Sequence, residues 1–77
     1  MKTVKQIKMH LRNCIDDMKT LHGFSIEQIA KASNVSSPTV RSCINRPHAV
    51  KAETIEIVYR ACVDMAQSLS TQEATHA

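Results

Sequence analysis

Seventy-seven residues make one domain, and a domain this small buries only about 60% of its unfolded surface, so it is marginal alone and gains from pairing with a second copy. Hydrophobic content of 43% is ordinary for a globular chain, but two aromatic residues and a single glycine disfavour a β-rich fold and point to an all-α one. The net charge is +3, no apolar run approaches the roughly 20 residues of a membrane span or forms a signal-peptide core, and three cysteines without framework spacing read as reduced thiols, so a cytoplasmic chain without membrane contact is expected.

From the start, Thr3 followed three residues later by Gln6 has the spacing of a capping box and opens a first helix over residues 4–22, with Gly23 as its stop. Val4, Ile7, Leu11, Cys14, Met18 and Leu21 recur at steps of three and four and form one apolar stripe. Packing of that stripe within the chain is the favoured expectation. A coiled-coil seam between subunits is the sharper alternative, although under three heptads is a short run for one. Lys5, Lys8, Arg12 and Lys19 sit mostly off the stripe, where they either touch phosphates or make a solvated face. His10 and Cys14, four apart, offer two metal ligands where a structural zinc site needs four, so no metal and no cofactor is expected. Asp16 and Asp17 are adjacent and diverge on a helix, and no catalytic constellation surrounds any cysteine or histidine. The chain does not read as an enzyme.

Ser25 and Gln28 repeat the capping box, with Phe24 and Ile29 as a hydrophobic staple, and start a second helix over residues 26–33. Asn34 tolerates the left-handed backbone that ends it, and Ala30 is small enough to let a following helix cross closely. Ser36 caps a third helix over residues 37–45, with Val35 and Val40 as its staple and Pro38 in the first turn, where a missing N–H costs nothing. Ile29, Val35, Val40 and Cys43 then point inward. Ser36, Ser37, Pro38, Arg41, Ser42 and Asn45 are left facing outward.

Pro47 pushes Arg46 out of the helical region, so residues 46–49 read as a loop. A fourth helix is expected over residues 52–68, with Ile55, Val58, Cys62, Met65 or Ala66, and Leu69 on its inner face. Lys51 is a poor cap, but Glu53 suits the positive helix end. The helix is longer than a three-helix core requires, so Met65, Ala66 and Leu69 are the expected dimer contact, and the polar stretch 70–77 is expected to be a flexible tail. The division is a single domain over residues 1–69, a reader motif over 25–45, and the tail.

Residues 25–45, followed by Val50-Lys-Ala-Glu-Thr54 and Val58, resemble the DNA-binding headpiece of lactose-repressor-family regulators without a gap. Val35-Ser36, Thr39-Val40 and Asn45 carry the most specific part of that resemblance. With a helix ahead of the motif, the chain also resembles the wider class of phage lambda repressor-like domains. The implied fold is an all-α bundle of four to five helices containing a helix-turn-helix. Asn34 stands where the family has glycine, Ser33 where it has a small apolar residue, and Arg41-Ser42 where it has Ser-Arg, which leaves the operator sequence open. The family's hinge helix and sugar-binding domain have no counterpart, so no small-molecule effector is expected.

The resemblance implies a homodimer that inserts one reader helix per subunit into double-stranded DNA. Base reading falls to Ser37, Pro38, Arg41 and Ser42, with Arg41 the most specific because its fork fits guanine O6 and N7. Ser25, Ser36, Thr39, Asn45, Arg46, His48 and Lys51 are the expected phosphate contacts. Charge agrees: residues 1–24 and 25–51 each carry +3 and residues 52–77 carry −3. The competing expectation is a helical adaptor that binds protein, antitoxin-like or anti-regulator, whose mark would be an apolar outward stripe. A DNA-binding accessory factor of replication, excision or partition is a further alternative.

Overall fold

The computed structural model describes residues 3–76, with side-chain surroundings for residues 3–69. The described residues form four α-helices, α1 (Val4–His22), α2 (Ile26–Ser33), α3 (Ser37–Asn45) and α4 (Ala52–His76), with a 3₁₀ turn at Pro47–Ala49 between the last two. No strand occurs among the described residues. The protein is all-α.

Each helix boundary has a local cause. Thr3 Oγ1 accepts from Gln6 N at 3.2 Å while Gln6 Oε1 accepts from Thr3 N at 2.9 Å, and Ser25 and Gln28 repeat the pair at 3.1 and 2.8 Å. Two donors left open at each helix start are thereby satisfied. α1 stops at Gly23 in the left-handed conformation, φ 67°, with the Phe24 N–H donating to Lys19 O at 3.1 Å. α2 stops at Asn34, φ 58°, where Val35 N donates to Ala30 O at 3.1 Å and Asn34 N to Lys31 O at 3.4 Å. That double closure turns the chain sharply into α3 and leaves only three residues between the helices. Lys51 does cap α4, but through its backbone: its carbonyl accepts from Thr54 N and Ile55 N at 3.0 and 3.2 Å.

Ile15, Ile29, Val40, Cys43, Ile55, Val58 and Cys62 are fully buried, with Phe24 and Ala30 nearly so, and Leu11, Met18, Val35 and Met65 pack against them. All four α-helices feed this one core. α1 packs on α4, α3 and the 3₁₀ turn, α2 packs on α4 and α3, and α3 also touches α4. The inward set expected for α2 and α3 is the inward set found. Ser33 is also buried, and its hydroxyl is satisfied by donating to Ile29 O at 2.6 Å.

Three expectations are corrected. The stripe of α1 does not pack inward as a unit: Val4, Ile7 and Leu21 are exposed, and Ile15, which is off the stripe, is the residue of this helix that enters the core. The reason is angular. A strict three-four repeat follows a line that drifts about 20° per heptad on a straight helix, whereas α1 meets the core through Leu11, Ile15 and Met18, whose spacing of four and three is centred on Ile15. Residues 46–49 are not irregular throughout, since Pro47–Ala49 form the 3₁₀ turn with Pro47 buried. α4 does not end near residue 68 but continues to His76, so the backbone of 70–76 is helical. Ala77 and the side chains of 70–77, to which the expected tail belongs, lie outside the described residues.

Candidate functional site

The outer face of α3 is polar, and its inner face, Val40 and Cys43, is buried in the core. Pro38, Arg41 and Asn45 are exposed there, and Ser37, Thr39 and Ser42 are half-buried beside them. Two shallow grooves border the helix. Pro38, Thr39, Ser42, Arg46, Lys51 and Thr54 line one, towards α4 and the 3₁₀ turn, and Arg41 and Asn45 line the other together with Asp16 and Lys19 of α1. A ridge of small and polar side chains between two grooves carrying four cations offers donors and positive charge at once.

The start of α3 is built to present hydroxyls. Ser36 Oγ accepts from Thr39 N at a long 3.4 Å and shares a 2.7 Å hydrogen bond with Thr39 Oγ1, while Pro38 withholds an N–H and leaves Ser37 as the free backbone donor of that turn. At the start of α2, Ser25 Oγ accepts from Gln28 N, and Glu27 in the first turn occupies the positive end with its own negative charge.

The expected contacts therefore separate into groups. Ser36, Ser37, Pro38, Thr39, Arg41, Ser42, Asn45, Arg46 and Lys51 share the α3 surface. His48 does not join them: it lines a separate cleft with Val4, Lys5, Lys8 and Met9 at the start of α1. Ser25 lines neither groove beside α3. Met65 and Leu69 line a groove against Phe24, Gln28 and Ala32, which Ala66 does not share. Met65 and Ala66 are half-buried and Leu69 is exposed.

Sequence reasoning missed how α3 is held. Arg12 Nε donates to the carbonyl oxygen of Ile44 at 2.9 Å, and Arg12 Nη1 donates to Asn13 Oδ1 at 2.8 Å. Lys8 Nζ donates to His48 O at 3.5 Å. Two cations of α1 thus meet carbonyls at and after the end of α3, where its dipole is negative. Arg12 is engaged inside the fold, unlike Lys19, which stays beside Arg41 in the groove. A cation seven residues ahead of Lys19 signals only a shared helix face; its partner is a backbone carbonyl 32 residues away, which no side-chain pattern reveals.

Burial pushes the Cys62 thiol up to about 11 and raises that of Cys43, where a backbone hydrogen bond offsets part of the effect, so both stay protonated at neutral pH. Cys14 Sγ lies 3.7 Å from His10 Nε2, but no group of three or more metal-ligating side chains occurs among the described residues. The ion pair of Arg60 with Glu56, at 2.6 Å on exposed α4, engages the basic residue of a segment that otherwise carries acids. Among the described residues no helix is long and apolar enough to cross a membrane.

No protein-family model matches this chain, and no curated protein or solved structure matches it either. The fold and its polar helix face define a small all-helical protein.

Proposed function

We propose that the chain is a sequence-specific double-stranded DNA-binding regulator of the lambda repressor-like class, with α2, its turn and α3 as a helix-turn-helix. α3 is the reader helix. One observation carries the reading: the outward positions of α3 are Pro38, Arg41, Ser42 and Asn45, small, polar or basic, flanked by grooves that hold Lys19, Arg46 and Lys51. A helix with that surface fits a major groove, reading base edges at its centre and phosphates at its margins.

The roles follow from position. Arg41 reads guanine, Ser37, Pro38 and Ser42 contact neighbouring base edges, and Ser36, Thr39, Asn45, Arg46 and Lys51 hold phosphates. Ser25 and His48 are outlying phosphate contacts, each reached only where the backbone passes the end of α2 or α1. A homodimer of this protein reads a palindrome whose half-sites are about 34 to 36 Å apart, acts as a repressor in the cytoplasm, and needs no cofactor or small-molecule effector.

Selection of bound duplexes from a random pool at moderate salt, with the mass of the complex measured on the enriched sequence, tests the reading. A palindrome carrying two subunits supports it. Absence of any enriched motif, with binding lost near physiological salt, would leave only nonspecific electrostatics and sink it in favour of a protein-binding adaptor.

A further inference from the structure

Ile7, Cys14 and Leu21 are spaced seven apart, so they fall in one line along α1, about 10.5 Å from each to the next at 1.5 Å per residue. Ile7 is 40% exposed, Leu21 79%, and Cys14 is half-buried between them. Leu11 and Met18 border the line on its inner side, already touching the core. The line runs along the flank of α1 turned away from Lys8 and Arg12, which bond to the end of α3 and the turn after it. A helix face with three unburied apolar positions in heptad register is left without a partner inside the chain.

We infer that this face of α1 is where a second copy docks, as a short antiparallel helix pair centred on Cys14. The register itself argues for self-association. A two-fold interface requires that whatever residue meets a second is met by it in return. With Cys14 opposite the partner's Cys14 on the axis, Ile7 falls opposite the partner's Leu21 and Leu11 lies within one residue of the partner's Met18, each of these two pairs occurring on both sides of the axis. The rim is complementary too. His10 and Asp17 are both exposed on the outer edge of the same face, and antiparallel pairing sets His10 beside the partner's Asp17 on both sides of the axis. A parallel pair would instead oppose His10 to His10 and Asp17 to Asp17.

The location suits the proposed DNA reading, on which the purpose of the dimer rests. α1 meets α3 through Arg12, Asp16 and Lys19, none of them on the proposed line, so pairing through that line leaves the reader helices uncovered. It is an alternative to a contact through Met65 and Leu69, where Met65 packs partly against the core.

Sedimentation of the whole chain without DNA, at tens of micromolar, tests the inference apart from the DNA reading. The wild type is expected to sediment as a dimer, and a short bismaleimide should link it through Cys14 alone, because Cys43 and Cys62 are fully buried. Leu21→Glu should give a folded monomer by circular dichroism, with the cross-link lost, and Leu69→Glu should remain dimeric. A wild-type monomer at every concentration would overturn the assignment. So would a dimer that survives Leu21→Glu, or one dissolved by Leu69→Glu as much as by Leu21→Glu. If the dimer forms as expected but no DNA motif is enriched, the pairing stands and the DNA reading falls.

Discussion

Arg12 of α1 donates through Nε to the carbonyl oxygen of Ile44, 32 residues later, at 2.9 Å, and so ties the last turn of α3 to the helix beside it. Arg12 is half-buried, its Nη1 donates to Asn13 Oδ1, and the Ile44 acceptor belongs to the negative end of a helix dipole. A short helix such as α3 depends on such contacts, since nine residues are too few to be stable alone.

Removing that tether should cost stability without altering the α3 surface. Arg12→Ala is expected to destabilise by about 1.5 to 3 kcal/mol, the usual range for a hydrogen bond to a charged group. Arg12→Lys should recover only part, because an ammonium on a flexible stem cannot reproduce the planar fork. Urea denaturation of the three proteins decides it; equal midpoints would mean the contact is too solvated to matter.

The α3 surface makes a separate prediction about sequence preference. Arg41→Ala should relax discrimination at one base position per half-site by about 1 to 3 kcal/mol while sparing nonspecific binding. Lys51→Ala or Arg46→Ala should weaken binding to all sequences alike and reduce the salt slope by about 1. Fluorescence anisotropy with matched and mismatched duplexes over a salt series separates these effects. A uniform loss for Arg41→Ala would reassign it to phosphate.

Burial in α1 is concentrated at one residue, and stability should follow it. Ile15→Ala empties a fully buried site and is expected to cost about 2 to 5 kcal/mol. Leu21→Ala, at 79% exposure, should change the stability of the monomer by no more than about 0.5 kcal/mol. Denaturation at low protein concentration measures both, and comparable losses would contradict the packing of α1 described above.

Alkaline pH should expose the cost of ionising a buried thiol. The Cys62 thiol rises from 9.0 to about 11 on folding, so the folded chain binds that proton more tightly than the unfolded chain does. Its contribution is whole below about pH 9 and disappears as pH rises through about 11, at up to about 1.4 kcal/mol per pH unit. Thermal melts from pH 8 to 11, set against Cys62→Ala as a variant unable to titrate there, should show a steeper decline for the wild type. Parallel declines would argue against it.

How far each element was legible depended on how local its cause was. Thr3 with Gln6, Ser25 with Gln28, Gly23, Asn34 and Pro38 all act within one helical turn, and the ends of α1, α2 and α3 fall where those residues demand. The inward set Ile29, Val40 and Cys43 was legible for a related reason. Two short helices joined by three residues have little freedom in the faces they turn to each other. The direction of His48 was not legible, because a residue in a three-residue turn carries no periodicity to say which way it points.

By itself, the sequence determined where α1, α2 and α3 begin and end, that the fold is all-α, and that a polar and basic set occupies the outer positions of α3. Those properties depend on capping, left-handed stops and period, which are interactions over three or four residues. Tertiary structure decided that Ile15 and not the full heptad stripe anchors α1, that Arg12 belongs to the Ile44 carbonyl, and that Lys19 stands beside Arg41 while His48 stands apart. Each of these is a choice of angle between helices distant in sequence. It is set by how their side chains fill a shared core, and no spacing along one helix contains it.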